Sequence, residues 1–379
     1  MFKDYPKKTL LVQIALFILT ILTTTIAGTE WIYGKSFFLS EKGFGWGEWI
    51  SSQKLIQGLQ FSIPFLIILS IHEFGHFLTA WKYGIKCTLP YYIPFWTGIM
   101  LSLGTIGAFI RITGAVKSRK EFFDVGIAGP LAGFIAALLV LYYGFTHLPP
   151  IEYIFTIHPE YQKYGTDFPK FVYKGIEGFY LGNNLIFWFF QHYVADPKLL
   201  PNKFELMHYP IILAGYFSLF FTALNLLPIG QLDGGHILYG LIGKKYHDII
   251  SPIIFIAFVF YAGLGTINPY TDLENILLNT GLYTVFLFFI FRRVFEETQN
   301  AWLVAVSIVA TQFVINYFYP NALGYNGWLL FAFIIGRFLG VKHPETEDDA
   351  PLDLKRKILG WITLIIFVLC FSPQPLTFE

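Results

Sequence analysis

Long apolar segments recur along this chain of 379 residues from one end to the other. A helix needs about 20 mostly apolar residues to cross the hydrocarbon layer of a bilayer. Apolar residues make up 55% of the chain and charged residues only 13%, whereas a soluble domain has about 25% charged residues. This composition excludes a soluble globular enzyme, a disordered chain and a disulfide-rich scaffold. We therefore predict an all-α polytopic membrane protein with about nine transmembrane helices, at residues 9–28, 57–80, 122–145, 208–228, 248–266, 272–291, 300–319, 325–341 and 357–373.

Basic residues set the predicted orientation of these helices. Lys3, Lys7 and Lys8 precede the first span, so the N-terminus is expected in the cytoplasm. With nine spans, the other basic clusters fall on the same side and segment 146–207 lies outside. We interpret the first apolar stretch as an uncleaved span rather than a signal peptide, because it is longer than a usual signal-peptide core. The net charge of +1 offers no basic excess for nucleic acid, so the expected partner is the lipid bilayer.

The strongest chemical signal is a His-Glu-Phe-Gly-His motif inside the second predicted span. Residues i and i+4 share one face of a helix, so His72 and His76 can bind one metal ion, with Glu73 within reach of a metal-bound water. Alternatively, neighbouring groups satisfy these side chains. An acid at the centre of a membrane helix costs about 2.5–3.5 kcal/mol, and a divalent metal would compensate that cost. We therefore favour a metal site inside the membrane, in its cytoplasmic half.

A third ligand is expected near the end of the fourth span, because a catalytic zinc usually has three protein ligands and a water. Asp233 is the only acid of this segment, and Pro228 and Gly230 are expected to break the helix just before it. Asn225, two helical turns earlier, could donate a hydrogen bond to a developing oxyanion. Asp233 could instead be a cap or turn residue. His236, one turn later, is a rival ligand that the sequence leaves open.

Together these motifs resemble the site-2 protease family of intramembrane zinc metalloproteases. The family pairs HExxH on one span with N-x-x-P-x-x-x-x-D-G on a later span, and this chain matches both patterns, the second from Asn225 to Gly234. The segment GIAGPLAG at 126–133 is also similar to a small-residue motif on the family's middle core helix. The resemblance implies one Zn²⁺ per chain, with a set of five site residues. The implied metal ligands are His72, His76 and Asp233, and the implied catalytic residues are Glu73 as general base and Asn225 as an aid to substrate or oxyanion.

The resemblance also implies an organisation into three parts. A catalytic core of three helices is expected at 57–245, preceded by a helix and outer loop at 1–56 and followed by additional helices at 246–379. The whole chain is similar to bacterial and plastid-type members, and we expect a protein of the bacterial cytoplasmic membrane. The expected reaction is hydrolysis of single-span membrane proteins within the bilayer.

Segment 87–113 is apolar but is interrupted by prolines and glycines, which makes it a poor helix. Two short strands around a turn fit this segment better, and the family has a re-entrant β-hairpin at the corresponding place. Its edge could pair with an unwound substrate by strand addition. The alternative is an interfacial loop that only packs against its neighbours.

The outer segment 146–207 departs from the pattern of many family members, which carry a PDZ domain there. It is too short for such a domain, and its aromatic runs are typical of amphipathic elements lying on the membrane surface. Three other functions stay open for the chain as a whole. A proteolytically silent zinc-binding protein would keep the ligands, a transporter would also use broken helices, and a desaturase would need more paired histidines.

Overall fold

A computed structural model describes residues 5–40, 43–173 and 178–378 of the chain. Lys3, part of the predicted orientation signal, lies outside these residues. Within the described ranges the chain is mainly helical, and every predicted span coincides with a helix. The helices are α1 (Lys7–Tyr33), α2 (Ser52–Lys82), α3 (Arg119–Thr146), α4 (Pro169–Val172), α5 (Leu185–Phe189), α6 (Pro210–Leu226), α7 (Asp233–Gly263), α8 (Leu273–Phe291), α9 (Thr298–Phe318), α10 (Gly327–Ile334) and α11 (Leu354–Cys370).

The helices differ in whether they are long enough to cross a membrane. Six helices of the described ranges are long and apolar enough, namely α1, α2, α3, α7, α8 and α9. The predicted fifth span is the second part of α7, after Gly243, whose φ of +76° interrupts the helical geometry. Helices α6 and α11 have 17 residues each, which gives a rise of about 25 Å against a hydrocarbon layer of about 30 Å. A polytopic helical protein is thus confirmed, and nine full spans are not.

Within the described residues, six short strands form three antiparallel two-stranded sheets. They are β1 (Leu39–Ser40), β2 (Gly43–Phe44), β3 (Tyr91–Phe95), β4 (Gly104–Phe109), β5 (Phe179–Leu181) and β6 (Leu376–Phe378), paired β1–β2, β3–β4 and β5–β6. The β-hairpin predicted within 87–113 is confirmed, since Tyr92 pairs with Ala108 and Phe95 pairs with Gly104. The register shifts between Tyr92 and Pro94, which is the expected irregularity where proline cannot donate to the ladder.

The chain divides into two compact units. The first comprises residues 1–115, 128–224 and 366–379, and the second comprises residues 116–127 and 225–365. In the first unit α1 packs closely on α2. A Cβ at Gly58 would lie 2.3 Å from the carbonyl oxygen of Thr25, so only glycine fits at this contact. The hydroxyls of Thr24 and Ser62, both buried, lie 2.5 Å apart across the same contact. The hairpin also packs on α1, where Thr23 donates a 2.7 Å hydrogen bond to the Gly104 carbonyl.

The second unit is held together by two arginines as well as by apolar packing. The buried Arg119 side chain donates a 2.9 Å hydrogen bond to the Gly240 carbonyl in α7. Arg356, in α11, forms a bidentate pair with Asp124, at 2.7 and 2.8 Å. Such paired hydrogen bonds fix orientation as well as distance. They tie the start of α3 to α7 and α11 within this unit.

The outer segment 146–207 consists of short elements rather than long helices. Two 3₁₀ helices at Ile151–Thr156 and Pro159–Asp167 lead into α4, and α5 continues as a π-helical turn at Phe190–Val194. Helix α5 is apolar on both its buried and its exposed side, since Phe187 is buried whereas Trp188 is 41% exposed, so the amphipathic character of this segment stays a prediction. Residues 174–177 of this segment lie outside the described ranges. Placement of α5 on the membrane surface stays a prediction.

Candidate metal centre

Helix α2 presents the His-Glu-Phe-Gly-His motif on a buried face. The helix begins after Ser51, whose hydroxyl accepts a hydrogen bond from the Lys54 amide. His72, Glu73 and His76 are only 5%, 4% and 7% exposed. The Nε2 atoms of His72 and His76 lie 3.1 Å apart. The predicted sharing of one helix face by the two imidazoles is therefore confirmed.

The spacing of the two nitrogens suits a shared zinc ion. With Zn–N bonds of about 2.05 Å, two nitrogens 3.1 Å apart subtend an angle of about 98° at the metal, close to the tetrahedral value of about 109°. The donor chemistry also fits, because imidazole nitrogen is a common zinc ligand. These two side chains could thus supply two of the three ligands that the sequence predicts.

Glycines of α3 form a cradle for the two imidazoles. A Cβ at Gly129 would lie 2.2 Å from His76 Nε2, and a Cβ at Gly133 would lie 3.1 Å from the His72 Cβ. A Cβ at Gly75 would in turn meet the Ala128 carbonyl oxygen at 2.7 Å. The small residues of GIAGPLAG therefore have a steric role, since they give the imidazole rings room between α2 and α3. The sequence pattern alone gives no sign of this steric role.

The helix break predicted before Asp233 is present. Helix α6 ends at Leu226, and Gly230 has a φ of +58°, a conformation that favours glycine. Gly234, the second residue of α7, lies so close to this turn that a Cβ there would be 2.0 Å from the Leu226 carbonyl oxygen. The turn thus requires small residues on both sides of its tightest point. It is held in part by Ser251, whose hydroxyl accepts a 2.9 Å hydrogen bond from the Gly230 amide.

Asp233 and Asn225 occupy the two ends of this break. Asn225 lies in the last turn of α6, and Asp233 is the first residue of α7. The N-cap position belongs to Leu232, which provides no side-chain cap hydrogen bond. An acid in the first turn also interacts favourably with the helix dipole, so the alternative of a helix-end residue stays open for Asp233. Its role as third metal ligand, with the role of Asn225, stays a prediction.

His236 has a partner that no spacing in the sequence indicates. Its Nδ1 lies 2.7 Å from Nε2 of His343, and Nδ1 of His343 lies 2.8 Å from the Pro344 carbonyl oxygen. A carbonyl can only accept, so His343 donates from Nδ1 and His236 donates from its own Nδ1 to His343 Nε2. Burial, with His236 beside it, lowers the pKa of His343 to about 3, which keeps this ring neutral at pH 7. A tautomer with hydrogen on Nδ1 and an unprotonated Nε2 is typical of metal-ligating histidines, so His236 stays a rival ligand.

Comparison with known proteins then decides the family. Residues 60–267 match the family model described as Peptidase family M50. This chain belongs to peptidase family M50. The predicted resemblance to the site-2 protease family is confirmed, and, with its long apolar helices, this M50 chain is an integral membrane protein.

Plant chloroplast proteins are among the relatives of this M50 chain. "Probable zinc metalloprotease EGY2, chloroplastic" of Oryza sativa subsp. indica is 29% identical over 236 residues, which cover 57% of this chain and 38% of the relative. The protein of that name from Arabidopsis thaliana is 28% identical over 191 residues, or 50% and 30% of the two chains. "Probable zinc metalloprotease EGY1, chloroplastic" of Arabidopsis thaliana is 29% identical over 178 residues, or 47% and 28%. This chain thus matches about a third of the length of these relatives. No solved structure matches the chain.

Proposed function

We propose that this M50 protein is a zinc metalloprotease that hydrolyses peptide bonds of membrane-spanning proteins within the bilayer. The observation that carries the proposal is the pair of buried imidazoles on α2, with Nε2 atoms 3.1 Å apart and the buried Glu73 next to His72 in the same helix. The plant relatives are named as probable zinc metalloproteases, which supports the same activity.

The proposed metal site uses His72, His76 and Asp233 as ligands of one Zn²⁺ ion. A carboxylate is an ordinary zinc ligand beside two imidazoles, and this set leaves a fourth position for water. When bound, zinc would lower the pKa of that water to about 7 and polarise the carbonyl of the bond to be cut.

Glu73 is the proposed general base. Its carboxylate accepts the proton of the attacking water and delivers it to the leaving amine. At 4% exposure, the Glu73 side chain is largely shielded from bulk water. Asn225 donates a hydrogen bond to the oxygen on which negative charge develops.

The β3–β4 hairpin is the proposed guide for the substrate. A peptide bond inside a helix is hidden because its carbonyl is already hydrogen-bonded, so a substrate helix has to unwind first. Strand β4 exposes Ile106 and Phe109 by 58% and 45%, and its backbone could pair with an unwound segment. The proposed substrate is a single-span protein, which approaches this re-entrant hairpin from the lipid.

The orientation and the span count are part of the same proposal. Nine spans around a three-helix core, with the core at 57–245, would place the N-terminus in the cytoplasm and segment 146–207 outside. The length of α6 and α11 requires a bilayer that thins locally or protein that covers their ends. Residence in a bacterial cytoplasmic membrane is the expectation from the sequence, whereas the plant relatives are named as chloroplast proteins.

Zinc content and cleavage measured side by side test the proposal. Glu73→Gln should retain zinc and lose cleavage of a single-span substrate, because the amide cannot accept the proton of the water. His72→Ala should lose both zinc at this site and cleavage. Cleavage by Glu73→Gln at the normal rate would exclude Glu73 as the base. A wild-type protein that binds zinc and cuts no membrane substrate would instead favour a silent zinc-binding protein or a transporter.

A further inference from the structure

A second cluster of side chains that offer metal-ligand atoms lies within the first unit, in and just after the outer segment. His158 follows the first 3₁₀ helix, whereas Glu205 precedes and His208 ends a 3₁₀ turn at Leu206–His208 just before α6. The two imidazole Nε2 atoms are 3.3 Å apart, and Oε2 of Glu205 lies 3.8 Å from Nε2 of His158 and 3.4 Å from Nε2 of His208. One donor atom from each of the three residues therefore faces the same point.

The triangle formed by these three atoms has the size that zinc requires. A point equidistant from all three, at the centre of the circle through sides of 3.3, 3.8 and 3.4 Å, lies about 2.0 Å from each, which matches Zn–N bonds of about 2.0–2.1 Å and Zn–O bonds of about 2.0–2.2 Å. Two imidazoles and one carboxylate are also a known zinc ligand set.

The second polar atom of each of these three side chains already has a hydrogen-bond partner. Nδ1 of His208 lies 2.5 Å from the Ile32 carbonyl oxygen, and Nδ1 of His158 lies 2.9 Å from a carboxylate oxygen of Glu160. Both acceptors require hydrogen on Nδ1, which leaves the Nε2 atom of each ring as the one that can present a lone pair to a cation. Glu205 accepts a 2.7 Å hydrogen bond from the Tyr173 hydroxyl at Oε1. Zinc sites regularly have such outer hydrogen bonds, which orient their ligands.

Three lone-pair donors therefore converge in a buried place. Glu205 and His208 are 3% and 5% exposed, and Oε2 of Glu205 is buried and accepts no hydrogen bond from the residues that the structure describes. An unpaired buried carboxylate oxygen facing two imidazole lone pairs is costly. A cavity of about 260 Å³, lined in part by Glu205 and Tyr173, has room for a water as fourth ligand.

We infer that His158, Glu205 and His208 bind a divalent cation, with Zn²⁺ as the best fit to the donors. The ion links three parts of the first unit, namely the 3₁₀ region around His158, the turn before α6 and, through Ile32, the end of α1. It therefore acts as a structural clamp on the outer segment, separate from the proposed catalytic zinc. A proton shared within the cluster is the competing occupant.

Zinc stoichiometry of the purified full-length protein separates the two occupants. The wild type should contain two zinc ions per chain, the double variant His72→Ala/His76→Ala should contain one, and His158→Gln should contain one. His158 is the least buried ligand, with 28% of its side chain exposed, so its replacement should leave the fold intact. His192→Gln replaces an exposed histidine of the same segment and should retain both ions.

A proteolysis measurement keeps the inference testable if a variant loses metal by misfolding. The double variant, stripped with EDTA, should be cut by trypsin at Lys163 and Lys170, and Zn²⁺ at 100 times its Kd should slow that cleavage about 100-fold. The same protein carrying His158→Gln should show no protection. A wild type with only the zinc that His72→Ala/His76→Ala removes, together with no protection by Zn²⁺, would overturn the inference in favour of a shared proton.

Discussion

The substitution Gly129→Ala should disable the proposed catalytic metal site without touching a ligand. The new Cβ would lie 2.2 Å from His76 Nε2 and 2.5 and 2.6 Å from two ring carbons. Ordinary contact requires about 3.5 Å, so the ring or the helix would have to move by about 1.3 Å. A shift of that size takes Nε2 from about 2.1 Å to beyond 3 Å from the metal. A misplacement of about 1 Å costs about 100-fold in rate, and overpacking costs about 1–3 kcal/mol of stability.

A graded series of three alanine variants tests this reasoning. Gly133→Ala places its Cβ 3.1 Å from the His72 Cβ and should have a smaller effect, whereas Gly281→Ala in α8 meets nothing within 4 Å. Zinc content, the thermal unfolding temperature and the rate of cleavage of a membrane substrate should be lowest for Gly129→Ala, intermediate for Gly133→Ala and highest for Gly281→Ala. Gly281→Ala should be neutral or slightly stabilising, because alanine is the better helix former. Full zinc content and normal cleavage by Gly129→Ala would show that the space left by the α3 glycines is not needed to position the imidazole rings.

Two further predictions concern the hairpin and the second unit. Ile106→Pro should reduce cleavage of membrane substrates while zinc stays bound, because proline removes a backbone donor from β4. Ile106→Val is the control. Unchanged cleavage by the proline variant would argue against strand addition. Arg356→Gln should lower the free energy of unfolding by about 1–3 kcal/mol, because it breaks the bidentate pair with Asp124. Lys342→Gln, which breaks the exposed pair with Glu296, should change it little, and equal denaturation midpoints for the two variants would contradict this ranking.

The features predicted correctly from sequence are local ones. The pairing of His72 with His76 follows from helical periodicity, and the hairpin follows from the prolines and glycines of 87–113, since both depend on residues close together in the chain. The break before Asp233 was predicted for the same reason. In local patterns of this kind, neighbouring residues determine the backbone geometry directly.

Features that depend on distant residues were not predicted. His158 and His208 are 50 residues apart, and His236 and His343 are 107 residues apart, so no motif spacing connects them. Their pairing is a result of tertiary packing. The cradle at Gly129 is similar, because a glycine in an apolar helix gives no sign of the ring that occupies the space beside it. The sequence predicts a longer helix than α6, because apolar turn residues extend beyond the helical segment.

The short α6 has a consequence for where this protein can work. In the nine-span arrangement proposed above, its 17 residues fall about 5 Å short of an average hydrocarbon layer. Lipids around α6 would have to compress, and longer acyl chains would raise the elastic cost of that compression. Membranes with short or disordered chains would therefore accommodate the protein most easily, and lipid composition becomes a variable in any reconstitution of its activity.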